Sequence, residues 1–154
     1  MILAQDFEDF ITLLNKHKVQ YLVVGGYALA MHGKPRHTGD LDIWINITDK
    51  NATRILKCIN AFGFGMLGFT KDDFMEPGYI NQIGYPPLRI DILTSIDGVG
   101  FDEAYANKLM VVENEITIPF ISLQELIKNK KATGRPQDLL DVKQLQQIKP
   151  KKKK

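Results

Sequence analysis

Three aspartates and a pair of glycines are the residues of this chain whose types and spacing suit catalysis. Gly25 and Gly26 end a short apolar run, and thirteen residues separate them from Asp40, which is followed by Asp42. A third carboxylate, Asp91, comes on a later apolar segment. Three carboxylates near a glycine turn suit a site that holds a divalent cation and a triphosphate.

Side-chain alternation predicts that these aspartates share a face of one sheet. In a strand over residues 41–47, the aliphatic side chains fall on one face and Asp40 and Asp42 on the other. The segment around Asp91 repeats this pattern, with Ile90 and Ile92 on one face and Arg89 and Asp91 on the other. If the two strands are neighbours in register, the three carboxylates converge.

Converging carboxylates repel one another and therefore require a cation. Hard oxygen ligands in this number favour Mg²⁺, with Mn²⁺ as a substitute, and two ions about 3.5–4 Å apart would hold the attacking and leaving oxygens of a phosphoryl transfer. A glycine turn before a helix lets the backbone approach the phosphates closely. The chain has no GxxxxGK[ST] pattern, which excludes a Walker-type loop.

Helices and strands alternate along the chain, which predicts a mixed α/β or α+β domain with helices packed on a sheet. Apolar residues recur at i, i+3, i+4 and i+7 in the first helix, at Phe7, Phe10, Ile11 and Leu14. The segment 62–69 (FGFGMLGF) is predicted to be a loop or hairpin, and Ser122 begins a capping box with Glu125. The predicted helices cover 6–17, 27–32, 51–62, 101–107, 123–132 and 136–147. The predicted strands cover 21–24, 41–47, 79–84 and 88–94, with a strand pair over 109–119.

The composition is that of a soluble protein with a basic end. The 154 residues carry a net charge of +2, but five lysines lie in the terminal KPKKKK, and without them fifteen basic residues face eighteen acidic ones. We expect a mildly acidic domain over 1–148 and a disordered basic tail over 149–154, which is a solvated end or a contact for polyanions. One cysteine, Cys58, favours a reducing cytoplasm and a core position on a helix. The N-terminus has no signal-peptide pattern, and no apolar run would span a membrane.

Residues 23–43 (VVGGYALAMHGKPRHTGDLDI) closely resemble the polymerase-β-like nucleotidyltransferase superfamily. The sequence is most similar to its small bacterial branch, which includes minimal nucleotidyltransferases and AbiEii-type toxin proteins. Residues 89–94 (RIDILT) match at the third carboxylate, and residues 126–142 (LIKNKKATGRPQDLLDV) match in the C-terminal part. The resemblance covers 5–147 and implies a polymerase-β-like fold, with a mixed sheet flanked by helices.

The resemblance also implies an activity and a role for each motif residue. Asp40 and Asp42 would bind both metal ions, and Asp91 would complete the second metal site and help to deprotonate the attacking hydroxyl. Gly25 and Gly26 would hold the β- and γ-phosphates. The reaction would transfer a nucleoside monophosphate from an NTP, with ATP favoured, to a hydroxyl and release pyrophosphate.

Several other residues keep two interpretations. Arg36, which with Thr38 matches the family pattern Arg-x-Thr-x-Asp-x-Asp, contacts phosphate or pairs with a carboxylate. Lys130, or Lys131 in its place, binds nucleotide or lies along an apolar helix face. Asp138 and Asp141 are expected to hold Lys130 or Arg135 in position. Trp44 and Tyr27 are expected mainly to pack in the core, with stacking on a base as the alternative. His32 is expected to pack at a helix end, and His37, which lies close to the motif in sequence, has contact with substrate as an alternative role.

The acceptor stays open between a protein hydroxyl, a tRNA end and an aminoglycoside-like small molecule. The family's toxin–antitoxin associations favour the first two, and the short chain suggests a cognate partner protein or a homodimer that helps to hold the acceptor. Two other classes of function compete with catalysis. One is a nucleotide- and metal-binding regulator without turnover, and the other is a nucleic-acid-binding protein that acts through the lysine tail.

Overall fold

A six-stranded mixed sheet forms the centre of the molecule, with the strand order β3-β4-β2-β1-β6-β5. The computed structural model describes residues 3–33, 39–85 and 87–148. The strands are β1 (Tyr21–Val24), β2 (Asp40–Ile45), β3 (Ile80–Tyr85), β4 (Leu88–Leu93), β5 (Leu109–Glu113) and β6 (Ile116–Phe120). The helices are α1 (Gln5–Lys16), α2 (Gly25–Met31), α3 (Asp49–Ala61), α4 (Phe101–Ala106), α5 (Leu123–Thr133) and α6 (Pro136–Leu145). This architecture confirms the predicted α/β class.

Parallel and antiparallel pairs are combined in the sheet. β2 is antiparallel to β1 and parallel to β4, β1 is parallel to β6, and the hairpins β3–β4 and β5–β6 form the two ends. The edge strand β3 is therefore the direct neighbour of β4, the strand that carries Asp91.

The core lies largely on the sheet face opposite to the aspartates. Leu41, Ile43 and Ile45 of β2 are completely buried there, and Ile90 and Ile92 of β4 are nearly so. α1 buries the predicted stripe of Phe7, Phe10, Ile11 and Leu14. α3 packs beside it, and its Cys58 thiol donates to the Leu13 carbonyl of α1, so the cysteine is a core residue as predicted.

The structure differs from the sequence-based expectation at the end of β2 and in the segment between α3 and β3. β2 ends at Ile45, since Asn51 binds the backbone at Gln20 and Asn46 and turns the chain into α3, whose first turn is capped by the Thr48 side chain. The segment 62–69, predicted to be a loop or hairpin, is a loop that contains a short 3₁₀ helix at Gly65–Leu67. A second such helix, at Lys71–Phe74, was not predicted.

The last two helices begin at the expected residues; α5 ends close to the predicted position, whereas α6 ends at Leu145, two residues before the predicted end. The Ser122 side chain accepts from the Glu125 N–H, Gly134 ends α5 in the left-handed conformation, and Pro136 begins α6. Within the described ranges, no helix has the length and apolar character needed to cross a membrane.

Candidate active site

The three aspartates lie on neighbouring strands, as the sequence predicted. β2 and β4 are parallel, with Asp42 directly opposite Asp91 and Asp40 opposite Arg89. Residues opposite each other in adjacent strands project from the same face, so Asp40, Asp42 and Asp91 share one face. Asp91 is nearly buried, whereas Asp40 keeps about 40% of its side chain exposed. The site is thus open on the side of Asp40.

Among the described residues, Arg89 is the cation that binds this cluster. Its Nε donates to Asp91 Oδ1 at 2.9 Å, and its Nη2 donates to Asp91 Oδ2 at 3.1 Å and to Asp40 Oδ2 at 2.9 Å. The hydrogen bond to Asp91 raises the pKa of the Arg89 guanidinium above its usual value, so the arginine stays charged. The sequence placed Arg89 on the face of Asp91 but gave it no role; its alternation with Asp91 was the available signal.

Asp42 has the most perturbed carboxylate of the three. Burial, followed by the negative charges of Asp91 and Asp40, raises the pKa of Asp42 to about 7, against the opposing effect of Arg89. At neutral pH, part of the population therefore carries a proton on this carboxyl. Of the three carboxylates, Asp42 is the one whose ionised form a further cation would stabilise most.

The glycine turn lies directly against Asp42. Val24 pairs with Asp42 across β1 and β2, and α2 starts at the next residue, Gly25, whose φ is +68°. A Cβ added at Gly25 would overlap the Asp42 carboxylate. Both the left-handed backbone and this close approach require glycine. The fold therefore brings the two halves of the sequence motif into contact.

The donor chemistry of the cluster suits a divalent cation. Three carboxylates supply hard oxygen ligands, and after burial the negative charges of Asp91 and Asp40 contribute to the raised pKa of Asp42. Across the described segments, no three acidic, His or Cys side chains surround one point as metal ligands. Arg89 occupies oxygens of both Asp40 and Asp91, so an ion bound by these two carboxylates would compete with the guanidinium.

Lys130, the predicted nucleotide-binding lysine, is held in an ionic network between α5 and α6. Its Nζ lies 3.0 Å from Asp141 Oδ2 and 3.3 Å from Asp138 Oδ1, with 11% of its side chain exposed. Arg135 and Thr133 also donate to Asp138. Burial alone would raise the pKa of Asp138, but these hydrogen bonds and the charge of Lys130 hold it at about 2. The network thus pairs Lys130 with both expected aspartates, while its contact with nucleotide stays a prediction.

The remaining candidates fall into two groups. Arg36, Thr38 and His37 lie outside the described residues. Trp44, Tyr27 and His32 are buried: Trp44 packs edge-on against Phe101, Tyr27 packs against Phe7, and the His32 Nε2 lies 2.8 Å from the Ile121 carbonyl oxygen. These three side chains are core residues, as expected.

A cavity of about 560 Å³ lies on the other face of the sheet. α1, the end of α3 and the β3–β4 hairpin enclose it, with Ile83 and Ile90 among its lining residues. Because Ile90 and Asp91 point to opposite faces, the sheet separates this cavity from the aspartates.

Comparison with known proteins agrees with the geometry. The profile of the DUF6036 family, described as "Nucleotidyltransferase of unknown function", matches residues 3–150. No curated protein matches the sequence.

Solved structures with a similar fold include a putative nucleotidyltransferase from Thermotoga maritima. It is 17% identical, with a TM-score of 0.60 over 90% of this chain and 88% of the other. An antigenic nucleotidyltransferase-like protein from Paracoccidioides brasiliensis is 13% identical, with a TM-score of 0.50 over 91% of this chain and 74% of the other. These similarities show a nucleotidyltransferase fold.

Proposed function

The chain belongs to the DUF6036 family of nucleotidyltransferases, and from this premise we propose that it transfers a nucleoside monophosphate from an NTP to a hydroxyl acceptor in a Mg²⁺-dependent reaction. The observation that carries the proposal is the contact between the glycine turn and Asp42, which itself lies opposite Asp91. The backbone that can approach phosphates thus lies against the carboxylates that can hold a cation.

In the proposed reaction, the acceptor oxygen forms a bond to the α-phosphorus and the bond from that phosphorus to the bridging oxygen breaks, so that pyrophosphate leaves. Asp91 accepts the hydroxyl proton as the general base. Gly25 and Gly26 hold the β- and γ-phosphates of the nucleotide. Mg²⁺, or Mn²⁺ in its place, would be held by Asp40, Asp42 and Asp91 and would neutralise charge on the phosphates.

Arg89 fits this proposal as the resting counter-ion of the carboxylates. With no divalent cation bound, its hydrogen bonds reach Asp40 and Asp91, and its single positive charge offsets one of the three negative charges. Arg36, Thr38 and Lys130 complete the proposed nucleotide contacts, with ATP the favoured nucleotide. Lys130 would have to meet a phosphate from within its pairs with Asp138 and Asp141.

The acceptor is proposed within the classes that the sequence left open, which are a protein hydroxyl, a tRNA end or a small molecule. A cytoplasmic location and a place in a toxin–antitoxin pair belong to the same proposal. The overall reaction relies on positioning and charge neutralisation, and the protein forms no covalent bond with the nucleotide.

Calorimetric titration of each NTP, with and without Mg²⁺, tests this function. We expect Mg²⁺-dependent binding that Asp40→Asn/Asp42→Asn abolishes, and we expect Asp42→Asn alone to abolish metal-dependent pyrophosphate release from a folded protein. Nucleotide binding without any turnover would support the regulator instead. Normal turnover by folded Asp42→Asn would refute the metal-binding role of Asp42.

A further inference from the structure

β3 is the edge strand of the sheet on the side of the candidate site. Gln82 of β3 lies directly opposite Asp91 of β4, which in turn lies opposite Asp42 of β2. These three side chains therefore form one row on one face of the sheet. What pairs with the outer side of β3 will lie beside this row.

The outer side of β3 offers free backbone groups. The Thr94 N–H donates to the Tyr79 carbonyl, so Tyr79 and Thr94 form a hydrogen-bonded pair of the β3–β4 ladder. In an antiparallel ladder such pairs alternate along each strand, which turns the N–H and C=O groups of Ile80 and Gln82 outward. Within the described segments, no protein group is hydrogen-bonded to these outward backbone groups.

Nothing in the sequence of β3 protects this edge. The strand reads INQIGY, without a charge or a proline, although such residues commonly prevent edge strands from pairing. Ile80 is 61% exposed and Tyr85 is 81% exposed. A neutral edge with apolar side chains favours a polypeptide strand over a nucleic acid, because nucleic-acid binding depends mainly on basic residues.

We propose that two copies of this chain pair through β3, antiparallel and centred on Gln82, so that their two sheets become continuous. The register is self-complementary, as a two-fold interface requires. Gln82 then lies opposite the partner's Gln82, and the two amides can hydrogen-bond to each other because each has a donor and an acceptor. Ile80 lies opposite the partner's Gly84, which has no side chain to collide with it.

The pairing has a direct consequence for the candidate site. A two-fold axis perpendicular to the sheet keeps both aspartate clusters on the same face. The two Asp91 positions would be three strand spacings apart, about 14 Å, with Gln82 and the partner's Gln82 between them. The side of each candidate site next to β3 would thus be completed by the other subunit.

Oligomeric mass tests the proposal without any assay of activity, so its outcome is separate from that of the proposed function. Light scattering of the full chain should give twice the monomer mass of 17.5 kDa at high concentration and a decrease towards it on dilution. Gln82→Lys places like charges directly opposite each other and should give the monomer. Val112→Lys is the matched control, since Val112 is an exposed residue of the opposite edge strand, β5, and should keep the mass of the unmodified chain.

A pair of variants with opposite charges at residue 82 distinguishes loss of strand pairing from misfolding. Gln82→Glu alone should also be monomeric, whereas its mixture with Gln82→Lys should regain the doubled mass. In addition, Gln82→Cys should form a disulfide-linked dimer on mild oxidation, because Cα atoms of a hydrogen-bonded antiparallel pair lie about 5.5 Å apart, within disulfide range. Val112→Cys should not, and the native Cys58 is buried.

Three outcomes would overturn the proposal. The first is a monomer at every concentration together with equal cross-linking of Gln82→Cys and Val112→Cys. The second is a dimer that Val112→Lys dissociates into monomers and Gln82→Lys does not. The third is a dimeric chain for which the mixture of the two Gln82 charge variants stays monomeric.

Discussion

Gly25→Ala is the substitution that most directly tests how the glycine turn meets the carboxylates. An alanine there would have to adopt a φ of +68°, which costs about 1–2 kcal/mol for a residue with a Cβ. Its methyl group would also overlap the Asp42 carboxylate. The easiest relief is rotation of Asp42 away from its rotamer, at about 0.5–1.5 kcal/mol. We therefore expect a total destabilisation of about 1.5–3.5 kcal/mol.

Gly68→Ala supplies a matched control for the backbone contribution. Gly68 has a similar φ of +78°, but a Cβ added there would meet no atom within 4 Å. This variant should lose only about 1–2 kcal/mol. Urea unfolding in metal-free buffer measures both values, and the excess loss in Gly25→Ala should disappear when Asp42 is also replaced by alanine, because coupled residues are not additive.

The functional effect of Gly25→Ala should exceed its effect on stability. Turning Asp42 out of its position separates it from Asp91, and a misplacement of about 1 Å can reduce a rate by about 100-fold. We expect at least that loss in metal-dependent pyrophosphate release, with Gly68→Ala close to the unmodified protein. Equal stability losses in the two glycine variants, or full activity in Gly25→Ala, would show that the turn does not lie against Asp42.

Three other predictions follow from the charged residues. In metal-free protein, the folded-state pKa of Asp42 near 7 lies above its unfolded value, so the folded state binds a proton that the unfolded state has lost. The free energy of unfolding should therefore fall by about 2–4 kcal/mol as the pH rises from 4 to 7. Urea unfolding at several pH values should show this decrease, and Asp42→Asn should remove most of it. Arg89→Gln should tighten Mn²⁺ binding about tenfold in calorimetry, equivalent to about 1.4 kcal/mol, because the guanidinium no longer competes for Asp40; unchanged or weaker binding would contradict this competition. Asp138→Asn should destabilise the fold by about 3 kcal/mol in urea unfolding, since it removes one of two buried partners of Lys130; a loss below about 1 kcal/mol, the level of an exposed pair, would contradict a structural role.

The sequence was informative where periodicity and spacing carry the signal. The buried stripe of α1 and the alternation around Asp42 and Asp91 both follow from patterns that depend on a few neighbouring residues. The alternating hydrophobic patterns of β2 and β4 are clear because one face of each strand packs in the core. This burial fixes the register that brings Asp42 opposite Asp91. The fold class and the position of the three carboxylates on one face of neighbouring strands were therefore predictable.

Contacts between distant segments were harder to predict. The Asn51 side chain binds backbone groups at Gln20 and Asn46, next to the end of β2. No local sequence pattern predicts such a contact. The position of Arg89 between two carboxylates depends on the parallel pairing of β2 with β4. The sequence showed that Arg89 shares the face of Asp91, but only the register places Asp40 within its reach.

The strand order gives the candidate site its composition. A single row crosses β1, β2, β4 and β3 through Val24, Asp42, Asp91 and Gln82, and with strands about 4.8 Å apart it spans about 14 Å. The glycine turn continues from one end of this row, where the nucleotide phosphates are proposed to bind. The other end is the outer side of β3, where the second copy is proposed to pair. Because Asp91 lies between the two ends, an acceptor hydroxyl held over the β3 end of the row would lie next to the proposed base, on the side away from the phosphates.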